Sequence, residues 1–343
     1  MPTNADPHFQ RLLDGRSLAE HEAESLFAAL LSGGLDEGRI AAMLAMIASR
    51  GPTVDELVGA ARAMRRCATP VAIPATSLPV LDTCGTGGAP KLFNVSTLGA
   101  IVTAAAAPGR VLVAKHGNRS RTGRGSAELL EALGVNIHAS PEVQARCLRE
   151  IGLCFSFAPD HHPAARHASV VRKKLGFPTI FNLLGPLVNP AGATCQVVGT
   201  YSKENAGKLA EAIARLGTRR SLVVTSEDGL DELTTTAPNV VHLVEGEVVT
   251  TSTLDAASLG LGRARIADLQ AHSLDEAVAI ARIVLAGAPG AALDLVLLNA
   301  GASLFAAGVV ANFSAGLVMA RGAVASGECA RTLARFVEIT ALP

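Results

Sequence analysis

From residue 80 onward, short apolar runs alternate with segments that have helical periodicity. Runs of this length are typical of strands buried on both faces, and a helix between two such strands joins them in parallel. The six runs span residues 80–82, 111–114, 135–137, 153–157, 196–199 and 222–225. Residues 240–243 and 248–249, on either side of Gly246, indicate a hairpin. We therefore predict an α/β fold with a mostly parallel sheet flanked by helices.

The first seventy residues predict a smaller, all-helical unit. Ser17 with Glu20, and Thr53 with Glu56, have the spacing of a capping box, in which a hydroxyl and a carboxylate bind free backbone N–H groups. Between these boxes, apolar residues recur at helical spacing, which indicates four short helices. Prolines punctuate residues 69–79 and disfavour helix there, so we place a domain boundary in that stretch.

The composition excludes several classes of partner. Lys+Arg and Asp+Glu number 30 each, so no net charge attracts nucleic acid or an anionic membrane surface. The most apolar stretch, residues 291–320, is interrupted by polar residues before ~18 apolar ones accumulate, which argues against a membrane span. The six cysteines lack metal-site spacing, and residues 1–15 lack the features of a secretory signal. We expect reduced thiols and a cytoplasmic location.

The first predicted strand runs into a glycine-rich loop. Residues 84–88 are Cys-Gly-Thr-Gly-Gly, and residues 94–97 then open an apolar helix. Glycines let backbone N–H groups approach an anion, and a helix N-terminus adds free donors and a favourable dipole, so the pattern suits a phosphate site. It matches neither the Walker A motif nor the GxGxxG fingerprint. Taken alone, the cluster is more typical of an ordinary tight turn.

Two further strand ends carry polar side chains. Residues 115–120, Lys-His-Gly-Asn-Arg-Ser, follow the second strand, and Asp231 with Glu232 follows a later one. Because ligands of open parallel sheets bind beyond the carboxyl ends of the strands, we expect the glycine-rich loop and the loop at residues 115–120 to face one crevice. Lys115 can pair with a pyrophosphate, and adjacent carboxylates suit magnesium. On its own, the acidic pair would more often be a solvated turn.

Eight sequence blocks, in order along the chain, resemble the anthranilate phosphoribosyltransferase family. They are DTCGTGG, FNVST, VAKHGNRS, GSAELLEALGV, HHPA, VRKKLG, TIFNLLGPLVNPAG and GLDEL. The resemblance implies a magnesium-dependent glycosyltransferase of tryptophan biosynthesis, which moves the ribose 5-phosphate unit of phosphoribosyl pyrophosphate (PRPP) to the amine of anthranilate. It also implies a homodimer that pairs through the helical part. On the family plan, residues 1–75, joined by helices around 166–190, form the helical domain, and residues 76–165 with 191–343 form the phosphoribosyl-binding α/β domain.

The resemblance assigns roles to individual positions. PRPP would contact Gly85, Thr86, Gly88, Ala89, Asn94, Val95, Ser96, Thr97, Lys115 and Ser126. Anthranilate would contact Gly85, His116, Asn118, His162 and Arg172. Two magnesium ions would be held by Ser96, Asp231 and Glu232. Lys115 and Arg172 would be catalytic, the first by stabilising the leaving pyrophosphate and the second by meeting the anthranilate carboxylate, although Arg172 alone reads as part of a basic helix face.

Two loops depart from the family pattern. Where the family continues GTGG with Asp-Gly, this chain has Ala-Pro-Lys-Leu at 89–92 and is one residue shorter. The family's Ser-rich stretch after KHGNRS is replaced by Arg-Thr-Gly-Arg at 121–124, again one residue shorter. Lys91 and Arg124 make the pocket more positive. We favour compensation, in which both loops shortened together and still bind the pyrophosphate, over a change of substrate.

Other functions remain open at this stage. A pyrimidine nucleoside phosphorylase-like enzyme shares the two-domain plan but needs no magnesium and lacks both KHGNR and the acidic pair. A paralogue of the family could use another aromatic amine, or could lack catalysis and bind nucleic acid or protein instead. The balanced charge argues against nucleic acid.

Overall fold

The computed structural model describes residues 7–90 and 92–341. Within these residues, four helices precede the sheet, and they are α1 (Pro7–Leu13), α2 (Glu20–Leu31), α3 (Glu37–Arg50) and α4 (Val54–Arg66). Thr53 and Glu56 form the predicted capping box at the start of α4, with Thr53 N donating to Glu56 Oε2 at 2.9 Å. The prediction of four short helices is confirmed.

The predicted helix cap at Ser17 is wrong. α2 begins after Ala19, whose N–H donates to Glu22 Oε2 at 2.8 Å. The residue before it is held by a tertiary contact instead, because Leu18 N donates to buried Glu56 at 3.0 Å. Since α4 fixes this backbone position, helical geometry starts later than the local sequence predicts.

In the described part of the chain, seven strands form one sheet. They are β1 (Val80–Gly85), β2 (Leu112–Gly117), β3 (Leu153–Phe157), β4 (Cys195–Gly199), β5 (Arg220–Ser226), β6 (Asn239–Glu245) and β7 (Val248–Leu254). Their order is β3-β2-β1-β4-β5-β6-β7. The first five in this order are parallel, and β6 and β7 add an antiparallel hairpin. The mostly parallel sheet and the hairpin are confirmed.

The helices that follow β1 cover both faces of the sheet. They are α5 (Val95–Ala106), α6 (Ser126–Ala132), α7 (Pro141–Ile151), α8 (Ala158–His161), α9 (Arg166–Leu175), α10 (Phe181–Leu184), α11 (Lys203–Arg215), α12 (Leu274–Leu285), α13 (Ala291–Ala306), α14 (Phe313–Ala325) and α15 (Glu328–Ala341). Among residues 7–90 and 92–341, no helix has the length and apolar character needed to cross a bilayer.

Residues 135–137, predicted as a strand, are irregular. Val135 N donates to Leu130 O, which closes the end of α6, and Asn136 N donates to Thr340 Oγ1 at 3.2 Å. Val135 and Ile137 are buried. The run is apolar because it packs under helices, and its backbone is bonded to a helix end and a side chain rather than to a strand.

Two hydrophobic cores lie on opposite faces of the sheet. Val197 and Val224 belong to one core, whereas their neighbours Val198 and Val223 belong to the other, as the alternation of side chains along a strand requires. The second core also contains residues of α2, α3, α4, α9, α10 and α11. The predicted division at residues 75, 166 and 190 stays a prediction, although α9 and α10 do share a core with the N-terminal helices.

Candidate active site

A cleft of about 540 Å³ opens at the carboxyl ends of β1, β2 and β5. Since parallel strands all end at the same edge of a sheet, the loop after each strand reaches this cleft. Its lining includes residues 84–90, 115–122 and 124–126, the first turn of α5, and the acidic pair 231–232. The glycine loop and the loop after β2, which the sequence predicts to face one crevice, therefore do so, and the acidic pair lies in the same cleft.

The glycine loop after β1 lies too close to its neighbours for side chains. A Cβ on Gly85 would lie 2.8 Å from Asp231 Oδ2, and one on Gly88, where φ is +101°, would lie 2.6 Å from Tyr201 Cε1. Thr86 N donates to Gly199 O at 2.9 Å, which continues the pairing of β1 with β4 into the loop. The loop thus presents backbone to the cleft, as a phosphate cradle requires.

Helix α5 begins at the cleft. Its N-cap residue, Asn94, does not cap the helix with its side chain, and Asn94 Nδ2 instead donates to Arg124 O at 3.1 Å. This bond links the glycine loop to the loop after β2. Ser96 and Thr97, in the first turn, both line the cleft. The free N–H groups and partial positive charge of a helix N-terminus favour an anion at this position.

Lys115 lies at the floor of the cleft and is almost fully buried, with 3% of its surface exposed. Its Nζ donates to Thr83 O and, at 3.3 Å, to Ser96 Oγ. Burial lowers the pKa of this ammonium, and the nearby Asp82 carboxylate opposes that shift. Asp82 is itself buried and accepts from His116 N at 3.0 Å. The lysine is therefore held by β1 and α5 beside the position where an anion would lie.

Two histidines pack against each other beside the cleft. The rings of His116 and His162 have centroids 5.2 Å apart and meet edge-on. Burial lowers the pKa of His116 to about 4, and burial together with repulsion from His116 lowers that of His162 to about 3. His116 Nδ1 lies 3.3 Å from Gly185 O, which favours the tautomer that donates there. Both rings are neutral at physiological pH.

The loop after β2 is folded around one carboxylate. Glu128 accepts from Gly125 N at 2.9 Å and from Ser120 N at 3.2 Å. Arg119 forms two hydrogen bonds with Glu131, at 2.5 and 2.8 Å. Because Arg119 is paired with the Glu131 carboxylate, it supplies less positive charge to the cleft than its position in the sequence indicates.

The acidic pair follows β5 and lines the same cleft. Asp231 and Glu232 are half-buried and line the cleft with Ser96. Carboxylate and hydroxyl oxygens are the donors that magnesium prefers, so the residues fit that ion. Among the described residues, no group of three or more His, Cys, Asp or Glu side chains could hold a metal by itself. A cation here would take its remaining ligands from the hydroxyl, from water and from bound phosphate.

Comparisons with known proteins agree with this geometry. Residues 77–330 match the glycosyl transferase family, a/b domain, and residues 7–68 match the helical bundle domain of the glycosyl transferase family. The anthranilate phosphoribosyltransferase of Moorella thermoacetica is 43% identical over 95% of this chain and 96% of its own. That of Solibacter usitatus is 46% identical over 94% of each. This chain belongs to the anthranilate phosphoribosyltransferase family.

Solved structures of the family have the same fold. The crystal structure of anthranilate phosphoribosyltransferase from Thermus thermophilus is 42% identical, with a TM-score of 0.91 over 98% of this chain and 99% of that one. The Saccharomyces cerevisiae enzyme in complex with PRPP and Mg has a TM-score of 0.88 over 98% of this chain and 97% of its own. At 24% identity, the yeast structure supports the fold alone.

The cleft gathers most of the positions that the family resemblance assigns. Those in its lining are Gly85, Thr86, Gly88, Ala89, Asn94, Ser96, Thr97, Lys115, His116, Asn118, Ser126, Asp231 and Glu232. Val95, His162 and Arg172 lie outside the lining. The Val95 side chain is buried in the core, and the His162 ring packs against that of His116, which does line the cleft. The binding roles of all these residues stay predictions.

Arg172 lies on α9 and is half-buried. Its guanidinium carbon is 4.9 Å from the centroid of the Phe181 ring. Burial lowers the pKa of Arg172, and the positive charge of Arg121, which lines the cleft, lowers it further. Arg172 is therefore within electrostatic reach of the cleft without lining it.

Two residues that line the cleft were not singled out from the sequence. Pro178 directly precedes the family block TIFNLLGPLVNPAG, and Asn182 lies within it, where its Oδ1 accepts from Thr179 N at 3.0 Å. The block itself was the signal, but the spacing within it does not indicate which side chain faces a ligand. Lys91, which the altered glycine loop gains, lies outside the described residues.

Proposed function

We propose that this chain transfers the phosphoribosyl group of PRPP to the amino nitrogen of anthranilate and releases pyrophosphate. One observation carries the proposal: a single cleft combines a glycine cradle, a helix N-terminus, a buried lysine and an acidic pair. An ordinary tight turn or a solvated acidic loop would not need the other three features. Relatives that cover nearly the whole chain carry the name of this activity.

Several groups at the edge of the cleft would bind the phosphates of PRPP. Backbone N–H groups of residues 85–88 and the first turn of α5 would bind phosphate oxygens, with Asn94, Ser96, Thr97 and Ser126 adding polar contacts. Part of this site is held by the protein itself, because Asn94 Nδ2 donates to Arg124 O and Thr86 N donates to Gly199 O on β4. A preformed anion site loses little free energy to ordering when it binds.

The chemical difficulty lies in the departure of pyrophosphate. The bond from the anthranilate nitrogen to C1′ forms as the bond from C1′ to the pyrophosphate oxygen breaks, so negative charge grows on the leaving group, and the nitrogen then loses one proton to water. Lys115 would stabilise that charge from a buried position, where electrostatic effects are strong. Ser96, Asp231 and Glu232 would hold two magnesium ions, which supply further positive charge to the pyrophosphate when bound.

The acceptor needs positioning rather than activation. The amine of anthranilate is an aniline, largely neutral at pH 7, and its nitrogen carries the lone pair that attacks. Arg172 would bind the anthranilate carboxylate, with Asn118 and the neutral rings of His116 and His162 beside the aromatic ring. Holding nitrogen and C1′ together can contribute a large part of the rate.

The altered loops are compatible with this function. The bond between Asn94 and Arg124 joins the two loops that each shortened by one residue. Arg124 lines the cleft and is half-buried. We propose that this arginine replaces part of the binding that the family's loop hydroxyls provide, which is the compensation favoured from the sequence.

An assay with both substrates tests the proposal. Purified protein is mixed with anthranilate, PRPP and MgCl2, and the loss of anthranilate fluorescence is followed while the product is identified by mass spectrometry. Phosphoribosylanthranilate should form only when all three are present, and EDTA should abolish it. An Asp231→Asn variant that retains its circular dichroism spectrum is the matched control.

The same assay separates the alternatives. Phosphorolysis of uridine or thymidine without magnesium would support a nucleoside phosphorylase, and product from another aromatic amine alone would support a different acceptor. Folded protein at high concentration that forms no phosphoribosylanthranilate would refute the proposal.

We also propose a homodimer that works in the cytoplasm. The six cysteines all lie in the described part of the chain and are free thiols, which suits a reducing compartment. Leu13 on α1 and Val170 on α9 expose apolar surface on the helical part, 68% and 51% respectively. Light scattering coupled to size exclusion should give twice the chain mass, and a monomer mass at micromolar concentration would contradict the dimer.

A further inference from the structure

The loop that carries Asp231 and Glu232 is held by hydrogen bonds to α13 and β6 immediately after the acidic pair. The loop connects β5 with β6, and both carboxylates line the cleft. The next two residues, Leu233 and Thr234, are each bound through backbone N–H and C=O by one asparagine side chain.

Asn299 binds the first of these residues. It lies on α13, is 4% exposed, and accepts from Leu233 N at 3.2 Å through Oδ1. Its Nδ2 donates to Leu233 O at 2.7 Å and to Leu295 O at 2.9 Å. The side-chain amide thus forms the two backbone hydrogen bonds that a neighbouring strand would otherwise form with this loop residue. Every polar atom of the buried side chain has a hydrogen-bond partner.

Asn239 binds the second residue in the same way. It is the first residue of β6 and is fully buried. Oδ1 accepts from Thr234 N at 2.8 Å, and Nδ2 donates to Thr234 O at 2.9 Å and to Leu254 O at 3.1 Å. Two buried amides from different elements therefore hold two consecutive backbone positions.

The acidic pair is confined from the other side by glycines. A Cβ on Gly199 would overlap the backbone carbonyl of Asp231, and a Cβ on Gly85 would lie 2.8 Å from Asp231 Oδ2. The ends of β1 and β4 thus limit where Asp231 can move. Two adjacent carboxylates repel each other, so a loose loop would let them separate.

We propose that Asn299 and Asn239 are positioning residues that hold Asp231 and Glu232 in the arrangement that binds the divalent cation. The inference rests on the proposed function, since it needs the acidic pair to bind metal. Groups that orient metal ligands typically change metal affinity by about 10- to 100-fold when they are removed. Neither asparagine belongs to the cleft lining, so any effect on the cation would pass through the loop.

A purely structural role for Asn299 makes a different prediction, and Ser303 distinguishes the two. Ser303 lies one turn later on α13, is 1% exposed, and its Oγ donates to Asn299 O at 2.8 Å. It lines the same small internal pocket as Glu232 and Asn299. Ser303→Ala removes a buried hydrogen bond from the same helix and leaves the loop contacts in place.

The experiment measures Mn²⁺ binding, with PRPP present and anthranilate absent, from the electron paramagnetic resonance signal of the free ion. Wild type, Asn299→Ala, Asn239→Ala and Ser303→Ala are compared well below their melting temperatures, after circular dichroism has established that each is folded. Both asparagine variants should bind Mn²⁺ about 10- to 100-fold more weakly than wild type. Ser303→Ala should match wild type within about 2-fold, even if its melting temperature falls.

Each result has one meaning. Wild-type affinity in a folded Asn299→Ala variant overturns the inference and leaves the proposed function intact, and if that variant does not fold, Asn239→Ala decides in the same way. An equal loss in Ser303→Ala also overturns it, because the effect would then follow helix stability. Wild type that binds no Mn²⁺ with PRPP contradicts the proposed metal role itself.

Discussion

Lys115 and Asp82 place an amine and a carboxyl group in a part of the molecule that has almost no contact with bulk water. The sequence predicts Lys115 as an anion ligand because the residue follows a buried strand at the end where ligands bind. It does not predict that Lys115 Nζ bonds Thr83 O and Ser96 Oγ, which lie 32 and 19 positions away. Such contacts come from the parallel order of the strands, which no local pattern encodes.

Replacing Lys115 tests whether its charge acts on the leaving group. Lys115→Met keeps the length of the side chain and removes the ammonium, so kcat/KM for PRPP should fall by at least about 100-fold, as when one preorganised electrostatic donor is lost. Lys173→Met, at an exposed position on α9, is the control and should stay near wild type. Steady-state kinetics with saturating anthranilate make the comparison, and a change below about 3-fold for Lys115→Met would exclude an electrostatic role.

The lowered pKa of His162 predicts how the stability of the fold depends on pH. Its folded pKa of about 3 lies below the ordinary value of 6.5, because burial disfavours the charged ring. Between those values only the unfolded chain binds the proton, so stability is complete above pH 6.5 and falls as the pH drops below it. The loss attributable to one such group approaches about 1.4 kcal/mol per pH unit.

Urea unfolding at pH 7 and pH 5 measures this effect. His162→Gln should lose less stability than wild type between the two pH values, by about 2 kcal/mol. His21→Gln, at an exposed position on α2, should retain the wild-type dependence. Equal pH dependence in all three proteins would mean that His162 is not held neutral by burial.

At the scale of elements, the strands and the caps show what a local pattern can and cannot specify. The parallel strands were predicted because their apolar runs are set by burial on both faces. Residues 135–137 have the same pattern and are not a strand, since burial beneath helices selects the same side chains. The cap at Ser17 failed because Glu56, on another helix, binds the neighbouring backbone N–H.

Two arginines of the loop after β2 should contribute differently to PRPP binding. Both arginines line the cleft, but Arg119 is paired with Glu131, whereas Arg124 is linked to the glycine loop by the hydrogen bond from Asn94 to its backbone oxygen. Arg124→Ala should raise KM for PRPP by about 10-fold, the effect of losing one charge-assisted contact of ~1.4 kcal/mol. Arg119→Ala should have the smaller effect. The reverse order in initial-rate measurements at fixed salt would contradict the compensation between the shortened loops.

At the scale of the whole molecule, one sheet separates two hydrophobic cores and carries the cleft along one of its edges. The helical part packs against one face, α5 and α13 pack against the other, and the cleft lies where β1, β2 and β5 end. The fold class and the crevice could be predicted because the sequence shows where the strands end and which polar motifs follow them. The contribution of α13 to the acidic loop could not, since Asn299 lies 66 positions beyond Leu233.

Anomalous scattering from Mn²⁺ in crystals grown with PRPP tests the account most directly, because it locates the cation and the pyrophosphate together. We predict an anomalous peak beside Asp231 and Glu232, with the pyrophosphate lying along residues 85–88 and within reach of Lys115. Ordered PRPP bound elsewhere, or a cation peak away from the acidic pair, would contradict the assignment of this cleft as the active site.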